Sequence, residues 1–368
     1  MMEKVRVGVV NTGWWADAMY LPALKAHEDV VVSAVCGRNP EKAAAFASSW
    51  DVPNWYIDYR DMLDADVCDA VVVASHTDTH YPITITALQK GLHVLCEKPL
   101  AVTVTEAEIM SALADEANVV NVVPFTYRFL PHARYIKQLI DEDYIGTPYH
   151  LNIRYYHAFG RNEGYGWGWN ADKVGAGDIA NLGSHPIYLA MWYFGDIESV
   201  TAELNSTINR GTETPDGKPF TPADDNGVLT LRFKNGAIGT VHYSSLSFES
   251  SGFGQQHFME FQGSKGTLYH VNDWTEKQET LAAQEGETLT PLNLPDAVWG
   301  HANIMNVHES YKAVFRKDGY MVGEFVDAIL GKGIKSRTPL PSFKDGLAVQ
   351  KVIESAVKSS REGRRISL

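Results

Sequence analysis

The chain has 368 residues, 45% of them apolar and 21% charged, an ordinary globular composition with length enough for two domains. Its net charge is −13, from 32 basic and 45 acidic residues, which argues against nucleic acid or an anionic membrane as a partner. The sequence holds no apolar run of roughly 18 residues, so no membrane span is expected, and Met1 to Val10 lack a signal peptide's apolar core.

In chain order, strand-like and helix-like patterns alternate up to Pro124, which predicts a parallel sheet with helical crossovers. Val5 to Val10 is β-branched. Tyr20 to His27 is helix-like, and Val30 to Cys36 is a second strand. Pro40 opens an alanine-rich helix over 41–48, a residue suited to a first helical turn. Ala70 to Ala74 is continuously apolar, as in a strand buried on both faces. Pro82 to Lys90 reads as a helix stopped by Gly91. His93 to Cys96 is a strand, Thr105 to Asn118 a helix, and Val119 to Val123 a strand. After a helix from Pro131 to Ile140 the texture changes. Period-two alternation appears over 149–156, 227–233, 237–245 and 257–262, with Asn235-Gly236 and Gly263-Ser264-Lys265-Gly266 as hairpin turns. Two helices, 319–330 and 343–361, close the chain. The expected architecture is therefore α/β: a Rossmann domain over 1–124, then an α+β domain over 125–368 with a large, mostly antiparallel open sheet. The last helix is free to pack back on the first domain. Cys36, Cys68 and Cys96 fit no zinc spacing and are expected as buried, inert thiols. A cytoplasmic location follows, and no metal is expected.

The turn after the first strand carries the first chemical signal. Asn11-Thr12-Gly13-Trp14-Trp15-Ala16 fits a dinucleotide fingerprint, Gly-x-Gly-x-x-Gly or Ala, with Asn in place of the first Gly. Asn tolerates positive φ better than other side chains. An ordinary glycine-containing turn is the competing reading. The second strand ends at Cys36-Gly37-Arg38, where a carboxylate would bind a ribose 2′-hydroxyl and an Arg a 2′-phosphate. Gly37 with Arg38 points to NADP rather than NAD, unless Arg38 only stacks on adenine or faces solvent. Lys98, in Glu97-Lys98-Pro99, stands just past a parallel strand, at the edge where such sheets bind ligands. Pro99 restricts its conformation. A solvent-facing loop lysine is the competing reading.

Residues 71–80 and 91–101, with the first-strand loop, Phe125-Thr126-Tyr127-Arg128-Phe129, Trp167-Gly168-Trp169-Asn170 and Gly175 to His185, resemble the glucose–fructose oxidoreductase and inositol dehydrogenase (Gfo/Idh/MocA) family. The resemblance spans nearly the whole chain. It implies NAD or NADP and hydride exchange with a hydroxyl carbon of a sugar or cyclitol. It implies that Lys98 touches cofactor and substrate, and that His185 is an acid/base. It places Ser75, His76, His80, Glu97, Arg128 and Trp169 near the cofactor, with Asn11 to Trp15 and Arg38. It also implies a homodimer or homotetramer through the exposed face of the second sheet.

The family's usual aspartate four residues before the histidine is Asn181 here. Helical spacing keeps Asn181 beside His185, where it can orient a hydroxyl but not take its proton. Asp178, one turn earlier, is a candidate replacement carboxylate, and Tyr156 a candidate substrate neighbour within an aromatic stretch suited to sugar faces. His301, Asn303 and His308 are further candidates late in the chain. His76 and His80 share a helical face, but no third metal ligand accompanies them. Two other functions stay open: reduction of a C=C or C=N bond on the same fold, or a non-catalytic dinucleotide-binding regulator.

Overall fold

The computed structural model describes residues 4–161, 177–214, 217–247, 255–274, 278–304, 306–336 and 338–368. They divide into two compact units, one of residues 1–125 and 312–347, the other of 126–311 and 348–368.

The first unit holds a six-stranded parallel sheet of β1 (Val5–Val10), β2 (Val30–Cys36), β3 (Asn54–Tyr56), β4 (Ala70–Val73), β5 (His93–Cys96) and β6 (Asn121–Val122), in the order β3-β2-β1-β4-β5-β6. The chain reverses direction across the sheet at β1, whose neighbours are β2 and β4. Every residue of β4 is buried, as its unbroken apolar run requires. The crossovers are α1 (Leu21–Ala26), α2 (Pro40–Ser49), α3 (Tyr59–Asp64), α4 (Thr77–Gln89) and α5 (Val104–Ala117). Asn39 caps α2 by accepting from the Lys42 amide, and Thr103 with Glu106 forms a capping box on α5. Two elements differ from expectation. α4 begins at Thr77, carrying Pro82 inside it. A π turn, Ala16–Tyr20, precedes α1. All three cysteines are buried and free. Burial pushes the Cys68 thiol up to about 11 and Cys36 up to about 12, which removes the thiolate that reactivity needs.

The second unit contributes α6 (Pro131–Asp141), β7 (Pro148–Tyr156), α7 (Ser184–Phe194), β8 (Ile197–Asn205), β9 (Asn226–Phe233), β10 (Ile238–Ser244), β11 (Gln256–Gly263), β12 (Gly266–Asn272), β13 (Gln278–Gln284), β14 (Thr290–Pro291) and α8 (Asp296–Trp299). After α9 (Val307–Arg316), α10 (Val322–Ile329) and α11 (Phe343–Glu362) comes β15 (Ile366–Ser367). The nine strands run β14-β13-β12-β11-β7-β10-β9-β8-β15. The sheet is antiparallel except for β7 against β10. Alternation assigns its two faces. Leu151, Ile153, Tyr155, Leu229, Leu231, Val241, Tyr243 and Phe261 are buried on one. On the other, Asn152 donates to Glu260, Thr240 donates to Asn152, and the Arg154 guanidinium sits 4.4 Å from the Phe258 ring centroid. The chain's return is divided more finely than a single second domain. Residues 312–347 join the first unit and the last helix, from Ala348, joins the second. No described helix is long and apolar enough to cross a membrane.

Candidate active site

In the first unit the expected cofactor residues gather at one edge of the sheet. Asn11 to Trp15 follow β1, Arg38 follows β2, Ser75 and His76 follow β4, and Glu97 and Lys98 follow β5. These four strands are adjacent, and the edge beyond their carboxyl ends is where open α/β sheets bind ligands. The loop is built on Asn11, whose φ is 132°, a region almost reserved for glycine. Its side chain holds that conformation from both ends. Oδ1 accepts from the Gly13 amide at 2.9 Å, and Nδ2 donates to the Ala74 carbonyl at 2.6 Å. Asn11 thus ties the β1 loop to the end of β4. Thr12 packs against Gly37 so closely that a Cβ at 37 would lie 2.6 Å from Thr12 Oγ1. No carboxylate can stand at the end of β2 unless Thr12 moves. Arg38 next to it is exposed. These features fit a dinucleotide: a glycine-dependent turn into a helix start, an exposed edge above buried strands, and a cation where a ribose substituent would lie.

Trp14 is 70% exposed. Trp15 instead turns inward and donates from Nε1 to Glu97 Oε1 at 2.6 Å. His76 is exposed, and the Ser75 hydroxyl accepts from Thr79. His80 and Glu97, expected at the cofactor, are both buried and bonded to the protein itself. The His80 ring nitrogens lie 2.9 Å from the Pro99 carbonyl and 3.1 Å from the Ser75 carbonyl. Burial lowers the His80 affinity for a second proton. Lys98 is half-buried and its amide donates to Glu97 Oε2 at 3.0 Å.

In the second unit, His185 is buried near the start of α7. A π turn, Ile179–Gly183, leads into that helix, where the sequence predicts a plain α-helix. Its last residue, Gly183, lets α7 approach β10: a Cβ there would meet the Tyr243 ring at 3.1 Å. The His185 ring lies 4.5 Å from that of Tyr127 and 6.3 Å from that of Tyr155. The two phenol hydroxyls are 2.7 Å apart, and Gln255 Nε2 donates to both, at 2.7 and 2.9 Å. Trp274 Nε1 donates to His257 Nε2 at 3.3 Å, and burial drives His257 down to about 3, so it is neutral. Half-buried Asn181 points its amide at Asp178, 3.5 Å away. Asp178 is itself buried, and desolvation raises it to about 6. Asp224 is raised to about 7 by burial while accepting from the Tyr243 hydroxyl at 2.7 Å.

Two of the expected site residues have partners away from the His185 cluster or within the protein itself. Tyr156 lies on the sheet face opposite Tyr155, where its hydroxyl bonds His242 Nδ1 at 2.7 Å. Period-two alternation makes Tyr155 the residue beside His185. Arg128, expected at the cofactor, is 2% exposed. Its guanidinium bonds the Tyr188 hydroxyl and lies 4.8 Å from the Trp192 ring. These contacts account for Arg128 as a packed cation in the second unit. Trp169 lies outside the described residues. Among the described residues no group of His, Cys, Asp and Glu has metal-ligand geometry. Tyr127, Tyr155, Gln255, His257 and Asp224 are polar neighbours of this constellation that sequence reasoning did not single out. Tyr127 stood within a quoted motif, and Tyr155 within the alternating strand.

Comparison with known proteins agrees with both units. The profile of an oxidoreductase family with an NAD-binding Rossmann fold matches residues 5–125, and that of the Gfo/Idh/MocA C-terminal domain matches 133–269. The chain belongs to the Gfo/Idh/MocA family. Like the family, it is a dehydrogenase or reductase with an NAD-binding Rossmann domain. D-glucoside 3-dehydrogenase of Escherichia coli (strain K12) is 30% identical over 246 residues, 64% of this chain and 69% of the relative. Levoglucosan dehydrogenase of Pseudarthrobacter phenanthrenivorans is 26% identical over 391 residues, 91% of this chain and 97% of the relative. Among solved structures, an oxidoreductase domain protein from Kribbella flavida matches at 28% identity with a TM-score of 0.85, covering 100% of this chain and 99% of that one.

Proposed function

We propose that this member of the family exchanges hydride between a nicotinamide dinucleotide and a hydroxyl-bearing carbon of a sugar, sugar derivative or cyclitol. The observation that carries this is the gathering of Asn11 to Trp15, Arg38 and Lys98 at the carboxyl ends of adjacent strands. Relatives named for levoglucosan, D-glucosides and myo-inositol support the substrate class. When bound, the dinucleotide supplies the hydride acceptor or donor. Lys98 holds the proton: its neutral amine takes it from the hydroxyl during oxidation and returns it during reduction. That needs an amine titrating ~3 units below an ordinary lysine, or ~4 kcal/mol of unfavourable environment. His185 is the second candidate for the same step, and Asn181 orients the hydroxyl without taking its proton.

For the cofactor we propose NADP over NAD. Gly37 holds no carboxylate to repel a 2′-phosphate, and exposed Arg38 follows it. The open face of the nine-stranded sheet, with its bonded network around Asn152 and Glu260, is our candidate surface for a homodimer or homotetramer. We place the enzyme in the cytoplasm, with no nucleic acid or membrane partner, on its charge of −13. The deciding experiment follows the absorbance of reduced nicotinamide with NAD and NADP separately against sugars, inositols and their oxidised forms. Turnover with one sugar or cyclitol pair supports the proposal. Tight dinucleotide binding with no turnover across the panel refutes it and favours a regulator.

A further inference from the structure

The groups that hold Lys98 in place form an arrangement of their own. Glu97 Oε1 accepts two hydrogen bonds, from Trp15 Nε1 at 2.6 Å and from the Tyr20 hydroxyl at 2.5 Å. Its other oxygen accepts from the Lys98 amide at 3.0 Å. Trp15 and Tyr20 are five residues apart. On an α-helix that spacing would set them about 140° apart around the axis. Here the segment between them is a π turn, closed by the Leu21 amide donating to the Ala16 carbonyl. The wider turn brings both donors to one carboxylate oxygen. Single π turns of this kind are frequent at functional sites.

The far side of Lys98 is held as well. His80 is kept neutral by burial and has one N–H; carried on Nδ1, it donates to the Pro99 carbonyl at 2.9 Å, with Nε2 lying 3.1 Å from the Ser75 carbonyl. His80 is 1% exposed, Tyr20 0% and Glu97 8%. The backbone around Lys98 is therefore tied to the phosphate-loop helix on one side and, through His80, to α4 on the other. The ties pass through buried side chains of fixed length. A carboxylate accepting three donors is bonded strongly and directionally. A residue whose backbone is fixed on both flanks has less freedom to swing its amine.

We propose that Glu97 and His80 are positioning residues, a two-sided clamp that makes the phosphate loop and the Lys98 amine move as one body. The clamp rests on the assignment of Lys98 as the group that holds the proton. Its role is in the rate of the chemical step rather than in affinity, because small misplacements of a reacting group cost rate steeply. On that assignment the held position is the one in which the amine titrates low, so loosening the clamp should raise it toward an ordinary lysine.

The test uses the full chain with Tyr20→Phe, which keeps the ring and removes one donor to Glu97, and His80→Phe, which keeps a ring and removes the donor to the Pro99 carbonyl. Each is expected to lower kcat at saturating dinucleotide and substrate by about tenfold, within the roughly hundredfold that misplacement can cost. The Kd for the reduced dinucleotide, read by its fluorescence, should stay within about threefold, since the phosphate loop is unchanged. A second readout needs no turnover: labelling of the cofactor-free protein with trinitrobenzenesulfonate across pH, followed peptide by peptide by mass spectrometry. Lys98 should label with a midpoint below the ordinary ~10.4 and move toward that value in both variants. Exposed Lys344, the internal control, should not move. Wild-type kcat with an unmoved Lys98 profile overturns the clamp, as does a rise in Kd with kcat intact. A shifted Lys98 profile with no turnover by the wild type on any sugar sinks the hydride-transfer assignment and leaves the clamp standing.

Discussion

Asn11 offers the sharpest structural test, because one residue carries both a strained backbone and the bonds that hold it. At φ 132° a side chain is disfavoured by on the order of 1–3 kcal/mol. Its two side-chain bonds, to the Gly13 amide and the Ala74 carbonyl, contribute about 0.5–1.5 kcal/mol each. Asn11→Ala keeps the strain and loses both bonds, so it should destabilise the first unit by about 1–3 kcal/mol. Asn11→Gly loses the same bonds but relieves the strain, at an added entropic cost of roughly 0.5–1 kcal/mol. The expected order of stability is Asn, then Gly, then Ala, with Gly and Ala separated by about 1–2 kcal/mol. Urea unfolding followed by far-ultraviolet circular dichroism measures the order, provided the slopes match. Dinucleotide Kd should follow it, with the alanine variant weakened about tenfold, the equivalent of about 1.4 kcal/mol. An alanine variant as stable as the glycine variant would refute the strain argument. Wild-type stability in both would refute the bonds as well.

Three further predictions bear on the site. Lys98→Met should lower kcat/KM by at least ~10²-fold, the scale of a general base; near-wild-type turnover in steady-state assays would remove Lys98 from proton transfer. Gly37→Asp alone should weaken both NAD and NADP by about tenfold or more, because its Cβ collides with Thr12. Adding Thr12→Gly should restore binding and favour NAD, and isothermal titration that finds NAD preferred by the single variant contradicts this steric account. Asp178 titrates near 6, raised by burial, so the folded state holds an extra proton between about pH 4 and 6. Stability should therefore be greater below the ordinary carboxylate range and fall as pH rises through about 6. Asp178→Asn should make that limb shallower, leaving the part due to Asp224, and gain on the order of 3 kcal/mol relative to wild type above it, less what the Ser245 and Asn181 hydrogen bonds to the carboxylate contribute. Parallel pH–stability curves for the two proteins would count against the buried carboxylate.

Much of this was legible in the residues themselves. Unbroken apolar runs such as Ala70 to Val73 can be stable only between two covering layers, so the parallel sheet and its crossovers follow from local pattern. Asn11 in place of a glycine announced a positive φ, since few other side chains accept one. The Glu97-Lys98-Pro99 element and the glycine-rich segment ending at His185 carried the family and its chemistry. Alternation also said that Tyr155 and Tyr156 face opposite ways. It also marked the covered face, because Leu151 and Ile153 lie in phase with Tyr155 while Asn152 and Arg154 lie in phase with Tyr156.

Partners distant in sequence were decided only by the fold. Gln255 reaches Tyr127 and Tyr155, and Asp224 receives the Tyr243 hydroxyl, through strand register that no local spacing encodes. The π turn at Ala16–Tyr20 is invisible to a helical periodicity, yet it brings Trp15 and Tyr20 to Glu97, residues 82 and 77 positions away. Local sequence determines which conformations a segment can adopt, because sterics and hydrophobic period act over a few residues. Which carboxylate is buried and which histidine stays neutral depend on neighbours that only the folded chain supplies. Desolvation and hydrogen-bond geometry, the terms that set these properties, are functions of tertiary contact.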